Sequence, residues 1–203
     1  MTTTVFLVRH GQTESNVTGF YMGWSDEDLN EVGYIQAHRL ASRLAGLPIT
    51  PVYTSPLRRA YTTAAILAEP HRLEPKALDD LIEIQLGDWQ GLHMDEIKRR
   101  WAGLWHKWRV DPSGAVIPNG ESLTGVTERA IPAFHRIVET NQDKQAIIVA
   151  HEVIVKVIVA HVLGAPNSIY RRFEISNTSL TVIQFRDNKS RLIELNDMSH
   201  LEG

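Results

Sequence analysis

Residues 4–16 read TVFLVRHGQTESN, in which an apolar and β-branched run ends at an arginine and a histidine. The run over residues 4–8 predicts a strand that is buried on both faces, as strands are in a parallel sheet covered by helices. In such sheets the functional site lies beyond the carboxyl ends of the strands. Arg9 and His10 follow the run directly, so we expect both side chains at that edge.

The rest of the chain alternates between strand-like and helix-like segments. The patterns predict further strands at 51–54, 145–150, 180–185 and 191–195, and helices at 31–47, 57–68 and 153–163. This alternation predicts an α/β fold, a three-layer α/β/α sandwich whose sheet is mostly parallel. The last two strands predict an antiparallel edge. The strand at 145–150 also ends at a histidine, His151.

Composition narrows the class of protein. The chain has 203 residues, 43% apolar and 22% charged, which is typical of a soluble globular domain, and we expect a single domain over residues 1–203. The net charge of −3 gives no basic field of the kind that attracts nucleic acid. The absence of cysteine excludes disulfides, cysteine-ligated metals and cysteine nucleophiles. No targeting segment or membrane span is predicted, so we expect a cytoplasmic protein without nucleic-acid or membrane partners.

Residues 88–121 differ in character, since they hold four of the five tryptophans. One helical face is predicted to carry Ile97, Trp101, Leu104, Trp105 and Trp108. These side chains either pack the helix onto the body of the protein or form an aromatic-walled, lid-like insertion over the site. The two interpretations are compatible.

Arg9, His10 and Gly11 together offer a nucleophilic imidazole beside a guanidinium that can clamp an anion. The glycine lets the backbone approach a bound oxyanion closely. There is neither a Walker A pattern nor G-x-G-x-x-G. Asp26-Glu27-Asp28 superficially resembles an aspartate nucleophile motif, but no apolar strand precedes it, so we expect solvated loop acids.

The string from Arg9 to Asn16 resembles the R-H-G-[EQ]-[ST]-x-x-N signature of the histidine phosphatase superfamily, the phosphoglycerate-mutase-like proteins. The resemblance continues in order along nearly the whole chain. Its further matches are SPLRRAYTTA at 55–64, LIEIQLGDWQG at 81–91, GES at 120–122, VAH at 149–151 and SNTS at 176–179. Within the superfamily the chain is most similar to the short broad-specificity phosphatases, and the LGDWQG segment argues against a mutase.

The resemblance implies a metal-independent phosphomonoester hydrolase that forms a phosphohistidine, uses no cofactor and acts on a small phosphorylated metabolite. The catalytic residues that it implies are His10 as nucleophile, Glu83 as proton donor, and Arg9, Arg59 and His151 on the phosphate. The substrate-binding residues that it implies are Asn16, Gly11, Gly23, Glu152 and Thr178. A homodimer is left open.

Two alternatives remain, namely a phosphotransferase of the phosphoglycerate mutase type and a weakly active binding protein on the same fold. One departure bears on both, because Glu152 follows His151 where the superfamily usually has glycine. In the first turn of a helix a carboxylate interacts favourably with the helix dipole, but it repels phosphate if it points inward. A tryptophan-walled pocket would favour esters with apolar leaving groups over small, highly charged ones.

Overall fold

A computed structural model describes residues 2–187 and 189–202 of the chain. Its strands are β1 (Thr3–Arg9), β2 (Phe20–Tyr21), β3 (Ile49–Thr54), β4 (Lys76–Ala77), β5 (Leu92–His93), β6 (Gln145–Ala150), β7 (Leu180–Arg186) and β8 (Lys189–Asp197). Its α-helices are α1 (Glu14–Thr18), α2 (Glu31–Leu44), α3 (Arg58–Ala68), α4 (Met94–Arg100), α5 (Ala102–Val110), α6 (Leu123–Thr140) and α7 (Glu152–Val162). Short 3₁₀ turns include Asp79–Leu81, Gly87–Trp89 and Asn167–Arg171.

Six of the strands form one sheet in the order β4-β3-β6-β1-β7-β8, and β2 pairs with β5 in a separate ribbon. The pairs among β4, β3, β6 and β1 are parallel. The pairs β1–β7 and β7–β8 are antiparallel. The predicted α/β fold, with a mostly parallel sheet and an antiparallel edge, is confirmed.

Helices cover both faces of this sheet. Successive residues of a strand point to opposite faces, and β1 follows this rule. Val5 and Leu7 pack in one buried cluster with residues of α6 and α7, whereas Phe6 and Val8 pack in another with residues of α2 and α3. The sheet is therefore the middle of three layers, as the residues of its first strand predict.

The register between β1 and β6 brings the two strand-end histidines together. Arg9 pairs with Ala150, so His10 and His151 are the next residues on neighbouring parallel strands. The backbone N–H of His10 donates to the carbonyl oxygen of Ala150 at 3.0 Å, which extends the ladder by one bond. This pairing sets the geometry of the candidate site.

Two segments differ from the sequence-based expectation. The predicted tryptophan-bearing helix is two helices, because Trp101, with φ −131° and ψ 49°, ends α4 and begins α5. No helix is predicted over the 18 residues of α6. Gly125 near its start and Pro132 within it weaken the local helical signal. α6 forms because its apolar face is buried, so tertiary packing overrides propensity.

α7 is strongly apolar, and all of its residues from Val153 to Ala160 are buried. It packs against α6, and it ends at Val162 after 11 residues. Among the described residues, none of the helices has the length and apolar character that crossing a membrane requires.

Candidate active site

A cleft of about 620 Å³ opens where β1 and β6 end. The predicted site residues that line it are Arg9, His10, Asn16, Gly23, Arg59, Glu83 and Glu152. Three others, Gly11, His151 and Thr178, are buried and do not line it. The structure thus brings most of the predicted set to one surface and places the rest behind it.

The His10 ring has a defined tautomer. Its Nδ1 lies 2.7 Å from the carbonyl oxygen of Gly11, which can only accept, so Nδ1 carries the proton and donates. Burial, with smaller contributions from the charges of Arg59 and Arg9, holds the pKa of His10 well below its ordinary value of 6.5. His10 is therefore a neutral imidazole at pH 7, and the lone pair of its Nε2 is free to act as a nucleophile.

His151 is fully buried, and its ring centroid lies 5.1 Å from that of His10 in an edge-on arrangement. Its Nε2 lies 2.7 Å from Ser55 Oγ. Burial, followed by the charge of Arg59, lowers the pKa of His151 well below 6.5. Within the described residues its buried Nδ1 has no hydrogen-bond partner. Such atoms normally have one, so this Nδ1 is an unsatisfied polar atom behind the cleft.

Two arginines place positive charge on the cleft wall. Arg59 is 3% exposed, and its guanidinium donates to the carbonyl oxygens of Ser25 at 3.0 Å and Gly23 at 2.8 Å. Arg9 Nη1 donates to the carbonyl oxygen of Ile175 at 2.7 Å. These bonds fix each planar fork, so the remaining N–H groups are preorganised for an anion.

The neighbouring Arg58 has a different environment. Its side chain is 63% exposed and its Nε lies 3.8 Å from Asp26 Oδ2. The N–H of Arg58 also donates to Asp26 Oδ1 at 2.7 Å, at the start of α3. Arg59, and not Arg58, therefore faces the cleft.

The carboxyl group of Glu83 has a pKa near neutrality. Its backbone oxygen accepts from Trp24 Nε1 at 2.6 Å and from Arg129 Nη2 at 3.0 Å, which holds this part of the chain in place. Burial raises the pKa of Glu83 to about 7, although the hydrogen bond from the N–H of Ile84 and the charge of Arg59 oppose the rise. At neutral pH the group can both give and take a proton.

Glu152 lies between two cations. Its Oε2 is 3.7 Å from Arg9 Nη1, and its Oε1 is 2.9 Å from Lys156 Nζ. Lys156 is 1% exposed, and its ammonium lies 4.4 Å from the centre of the Tyr170 ring. Burial opposes ionisation of Glu152, but Arg9 and Lys156 outweigh it and lower the pKa of this carboxyl. The carboxylate is thus ionised at the cleft, with its charge offset on both sides.

Asn16 and Gly23 contribute to the cleft in different ways. Asn16 Oδ1 accepts from the N–H of Thr13 at 3.2 Å and from Asn177 Nδ2 at 3.0 Å, so its own Nδ2 is the group available to an anion. Gly23 has a φ of 50°, and its carbonyl oxygen holds Arg59. Gly23 therefore acts on the site through that guanidinium.

Gly11 and Thr178 hold the end of β1. The N–H of Gly11 donates to Thr63 Oγ1 at 3.0 Å, and a Cβ here would lie 2.7 Å from the carbonyl oxygen of Gly33. One close approach that needs glycine at this position is therefore made to α2. The N–H of Thr178 donates to the carbonyl oxygen of Arg9 at 3.0 Å.

A profile of the histidine phosphatase superfamily (branch 1) matches residues 5–198. The chain belongs to this superfamily. The resemblance that the sequence motifs carry is therefore confirmed, and it extends over nearly all of the chain.

Known proteins resemble this histidine phosphatase closely along its length. Phosphoserine phosphatase 1 of Hydrogenobacter thermophilus is 32% identical over 197 residues, which cover 97% of this chain and 93% of that protein. Adenosylcobalamin/alpha-ribazole phosphatase of Salmonella typhimurium is 30% identical over 192 residues, which cover 95% of each. The solved structure of Bacillus stearothermophilus YhfR matches with a TM-score of 0.95 and 31% identity, covering 98% of this chain and 100% of that one. The names of the first two support a phosphomonoester hydrolase, as predicted.

The environment of Glu27 in this histidine phosphatase differs from the one that the sequence predicts. Glu27 lines the cleft and accepts hydrogen bonds from Thr13 Oγ1 at 2.9 Å and from Ser15 Oγ. The expectation of a solvated loop acid is wrong for Glu27, because these bonds tie it to the start of α1. No local pattern distinguishes Glu27 from its neighbours, so only the fold identifies it.

The tryptophans of residues 88–121 mostly pack the histidine phosphatase fold. Trp89 is fully buried, with its ring centre 5.9 Å from those of both Trp105 and Trp108. Trp108 lines the cleft, whereas Trp89, Trp101 and Trp105 do not. The other aromatic side chains of the cleft come from elsewhere in the chain and are Phe20, Tyr21 and Tyr170.

The cleft contains two further arginines that the sequence does not predict, Arg109 and Arg171. They belong to the end of α5 and to the turn Asn167–Arg171, which no motif of the superfamily marks. Over the described part of the chain, no group of three or more histidine, aspartate or glutamate side chains is arranged to hold a metal ion.

Proposed function

We propose that this histidine phosphatase hydrolyses small phosphate monoesters through a phosphohistidine at His10, without a metal ion. The observation that carries the proposal is the presence in one cleft of a neutral imidazole with its Nε2 lone pair free and a carboxyl with a pKa of about 7. Arg9 and Arg59 supply the positive charge that a metal ion would otherwise bring. We also expect a cytoplasmic location, and homodimer formation is an open question.

In the first step His10 Nε2 attacks phosphorus in line with the ester oxygen. The N–P bond forms as the P–O bond to the leaving group breaks, and Glu83 gives its proton to the departing oxygen. Arg9 and Arg59 hold the phosphoryl oxygens and stabilise the charge that spreads over them. Asn16 Nδ2 is available as a further donor, and the buried His151 ring packs edge-on against His10.

In the second step water replaces the leaving group. Glu83, now a carboxylate, takes a proton from the water molecule as its oxygen attacks phosphorus, and the N–P bond breaks. Orthophosphate leaves, His10 returns to its neutral form and Glu83 is again protonated. The hydrogen bond from His10 Nδ1 to the carbonyl oxygen of Gly11 persists through both steps, so the ring keeps its orientation.

Trapping the phosphoenzyme tests this proposal. The protein is mixed with a phosphorus-labelled aryl phosphate and quenched in base, and we expect an acid-labile, base-stable label. His10→Ala should carry no label, whereas the matched variant Arg58→Gln should retain it. Wild-type activity should survive EDTA. Absence of label from the active wild type, or strict dependence on added Mg²⁺, would contradict the mechanism.

Native enzyme, incubated without a quench, separates hydrolysis from phosphotransfer. The protein is mixed with the labelled aryl phosphate in buffer alone and in buffer with 3-phosphoglycerate as acceptor. A phosphatase should release orthophosphate in both, whereas a phosphotransferase of the mutase type would pass the label to the acceptor. Stable label in both would favour the weakly active binding protein.

A further inference from the structure

Arg171 is a partly buried cation that forms no ion pair within the described residues. Its Nη2 donates to the carbonyl oxygen of Trp108 at 3.2 Å, and its guanidinium lies 4.9 Å from the centre of the Tyr170 ring. Its Nε is buried and has no hydrogen-bond partner among the described residues. The guanidinium lines the same cleft as His10. An arginine that is fixed in a cleft wall and forms no ion pair there is able to bind a carboxylate or a phosphate.

Within the described residues no carboxylate of the cleft forms an ion pair with Arg171, although the charge of Arg171 is one of those that lower the pKa of Glu152. Glu27 is bound to Thr13 and Ser15, and Glu152 is held between Arg9 and Lys156. Glu83 has a raised pKa and serves as the proton donor. Glu174 is exposed, and within the described residues it forms no ion pair with an arginine.

Arg109 adds a second charge to the same wall. It is exposed at the end of α5, its guanidinium lies 5.9 Å from the centre of the Trp105 ring, and no ion pair joins it to a carboxylate of the described chain. Both Arg109 and Arg171 act on Tyr21, since each charge lowers the pKa of that phenol while burial raises it. The two cations therefore influence one region of the cleft, which Tyr21 also lines.

We propose that Arg171 binds a carboxylate on the leaving group of the substrate, with Arg109 adding to the attraction, so that the preferred esters are small and carry a carboxylate as well as a phosphate. The proposal rests on the phosphatase activity proposed above. The single guanidinium charge of Arg171 matches one carboxylate. The expected preference for apolar leaving groups depended on tryptophans in the cleft wall, and only Trp108 is there.

Two esters of nearly equal size allow the contribution of the carboxylate to be measured. 3-Phosphoglycerate carries a carboxylate where glycerol 3-phosphate carries a hydroxymethyl group. We expect wild-type kcat/KM to be about 10-fold or more higher for 3-phosphoglycerate, and Arg171→Gln to remove about 10- to 50-fold of that value. The same variant should change kcat/KM for glycerol 3-phosphate by less than about 2-fold. Arg171→Lys should restore part of the preference, because it keeps the charge but loses the fork.

Arg172→Gln is the matched control, since Arg172 is exposed, adjacent in the chain and outside this cleft. This variant should leave kcat/KM unchanged for both esters. Equal losses for both esters in Arg171→Gln would overturn the proposal and reveal a structural role. So would a wild-type enzyme that hydrolyses both esters without preference for 3-phosphoglycerate.

Binding distinguishes failure of the subsite from failure of the proposed function. Calorimetry on His10→Ala measures the affinity for both esters without turnover. Tighter binding of 3-phosphoglycerate that is lost in His10→Ala/Arg171→Gln would support the subsite even if the wild type hydrolysed neither ester. Equal affinities would overturn the subsite even if the enzyme hydrolysed both.

Discussion

Lys156 Nζ lies 2.9 Å from Glu152 Oε1, so a buried ammonium in the middle of α7 balances the carboxylate that stands at its first residue. The other oxygen of Glu152 faces Arg9. The chain therefore tolerates a carboxylate beside His151, where the superfamily usually has glycine, by placing a cation one helical turn away.

Glu152→Gln should tighten phosphate binding and weaken the fold. We expect the inhibition constant of orthophosphate to fall by about 3- to 10-fold at low salt, because Arg9 and Lys156 already screen most of the repulsion. The unfolding free energy should fall by about 2–4 kcal/mol, since Lys156 is left buried without its partner. Inhibition kinetics at two salt concentrations and urea denaturation measure the two effects.

Two comparisons complete that experiment. Glu174→Gln removes an exposed carboxylate of the same cleft and should leave stability unchanged. Glu152→Gln/Lys156→Met removes both charges of the pair and should be more stable than Glu152→Gln alone. A single variant as stable as the wild type would show that the Lys156 ammonium does not need its partner.

Glu83→Gln should stabilise the protein at high pH and inactivate it. The pKa of Glu83 is raised from 4.5 to about 7, so the folded state binds the proton more tightly than the unfolded state. Its contribution to stability is full below about pH 4.5 and is lost as pH rises towards 7. At pH 8 the free energy of unfolding of the variant should therefore exceed that of the wild type by about 1–3 kcal/mol. At pH 4.5 the two free energies should be equal.

The activity of the same variant depends on the leaving group. Hydrolysis of an alkyl phosphate should fall by about 10²- to 10⁴-fold, because the alkoxide leaves without a proton. Phosphoenzyme formation from an aryl phosphate should fall much less, since a phenolate with electron-withdrawing groups leaves unaided. Wild-type kcat/KM for the alkyl ester should decline as pH rises through about 7, where Glu83 loses its proton. A flat profile across this range would contradict the role of Glu83.

Arg59→Lys should lower kcat/KM by about 10²- to 10³-fold. A lysine has one nitrogen and cannot hold the carbonyl oxygens of Ser25 and Gly23 while also reaching a phosphate. Arg58→Lys, one residue earlier and exposed, should change kcat/KM by less than about 2-fold. Similar losses in both variants would mean that the charge of this segment matters and the orientation of Arg59 does not.

Gly33→Ala should destabilise the protein although alanine is the better helix former. A Cβ at Gly33 would lie 2.1 Å from the carbonyl oxygen of Gln12, so α2 must shift away from the loop that follows His10. We expect a loss of about 2–4 kcal/mol, measured by thermal and urea denaturation. Gly103→Ala is the control, because nothing lies within 4 Å of its Cβ, and it should gain about 0.5–1 kcal/mol.

The parts of the fold that the sequence predicts are those with strong local signals. β6 occupies the predicted residues, because an apolar run in a buried strand has few alternatives. α6 was missed and the tryptophan-bearing helix was not expected to break at Trp101. Both depend on packing against other elements, which local periodicity does not contain.

The candidate site divides in the same way. Arg9 and Glu83 lie in motifs that continue over several residues, and their place in the cleft follows the motif. Arg171 stands in no motif, and its contact with Trp108 is remote in sequence, so only the three-dimensional structure identifies it. The pairing of Lys156 with Glu152 follows from their i,i+4 spacing, but the burial of Lys156 against Tyr170 does not.

The strand order also governs when the protein can assemble. β1 is made first, yet its partners β6 and β7 begin at Gln145 and Leu180. β6 is in addition the strand that joins β3 to β1. Pairing over such separations is slow and leaves strand edges open in the meantime. A nascent chain that ends before β6 is complete therefore has no sheet centre, and the loop that carries His10 is synthesised well before the strands that fix its position.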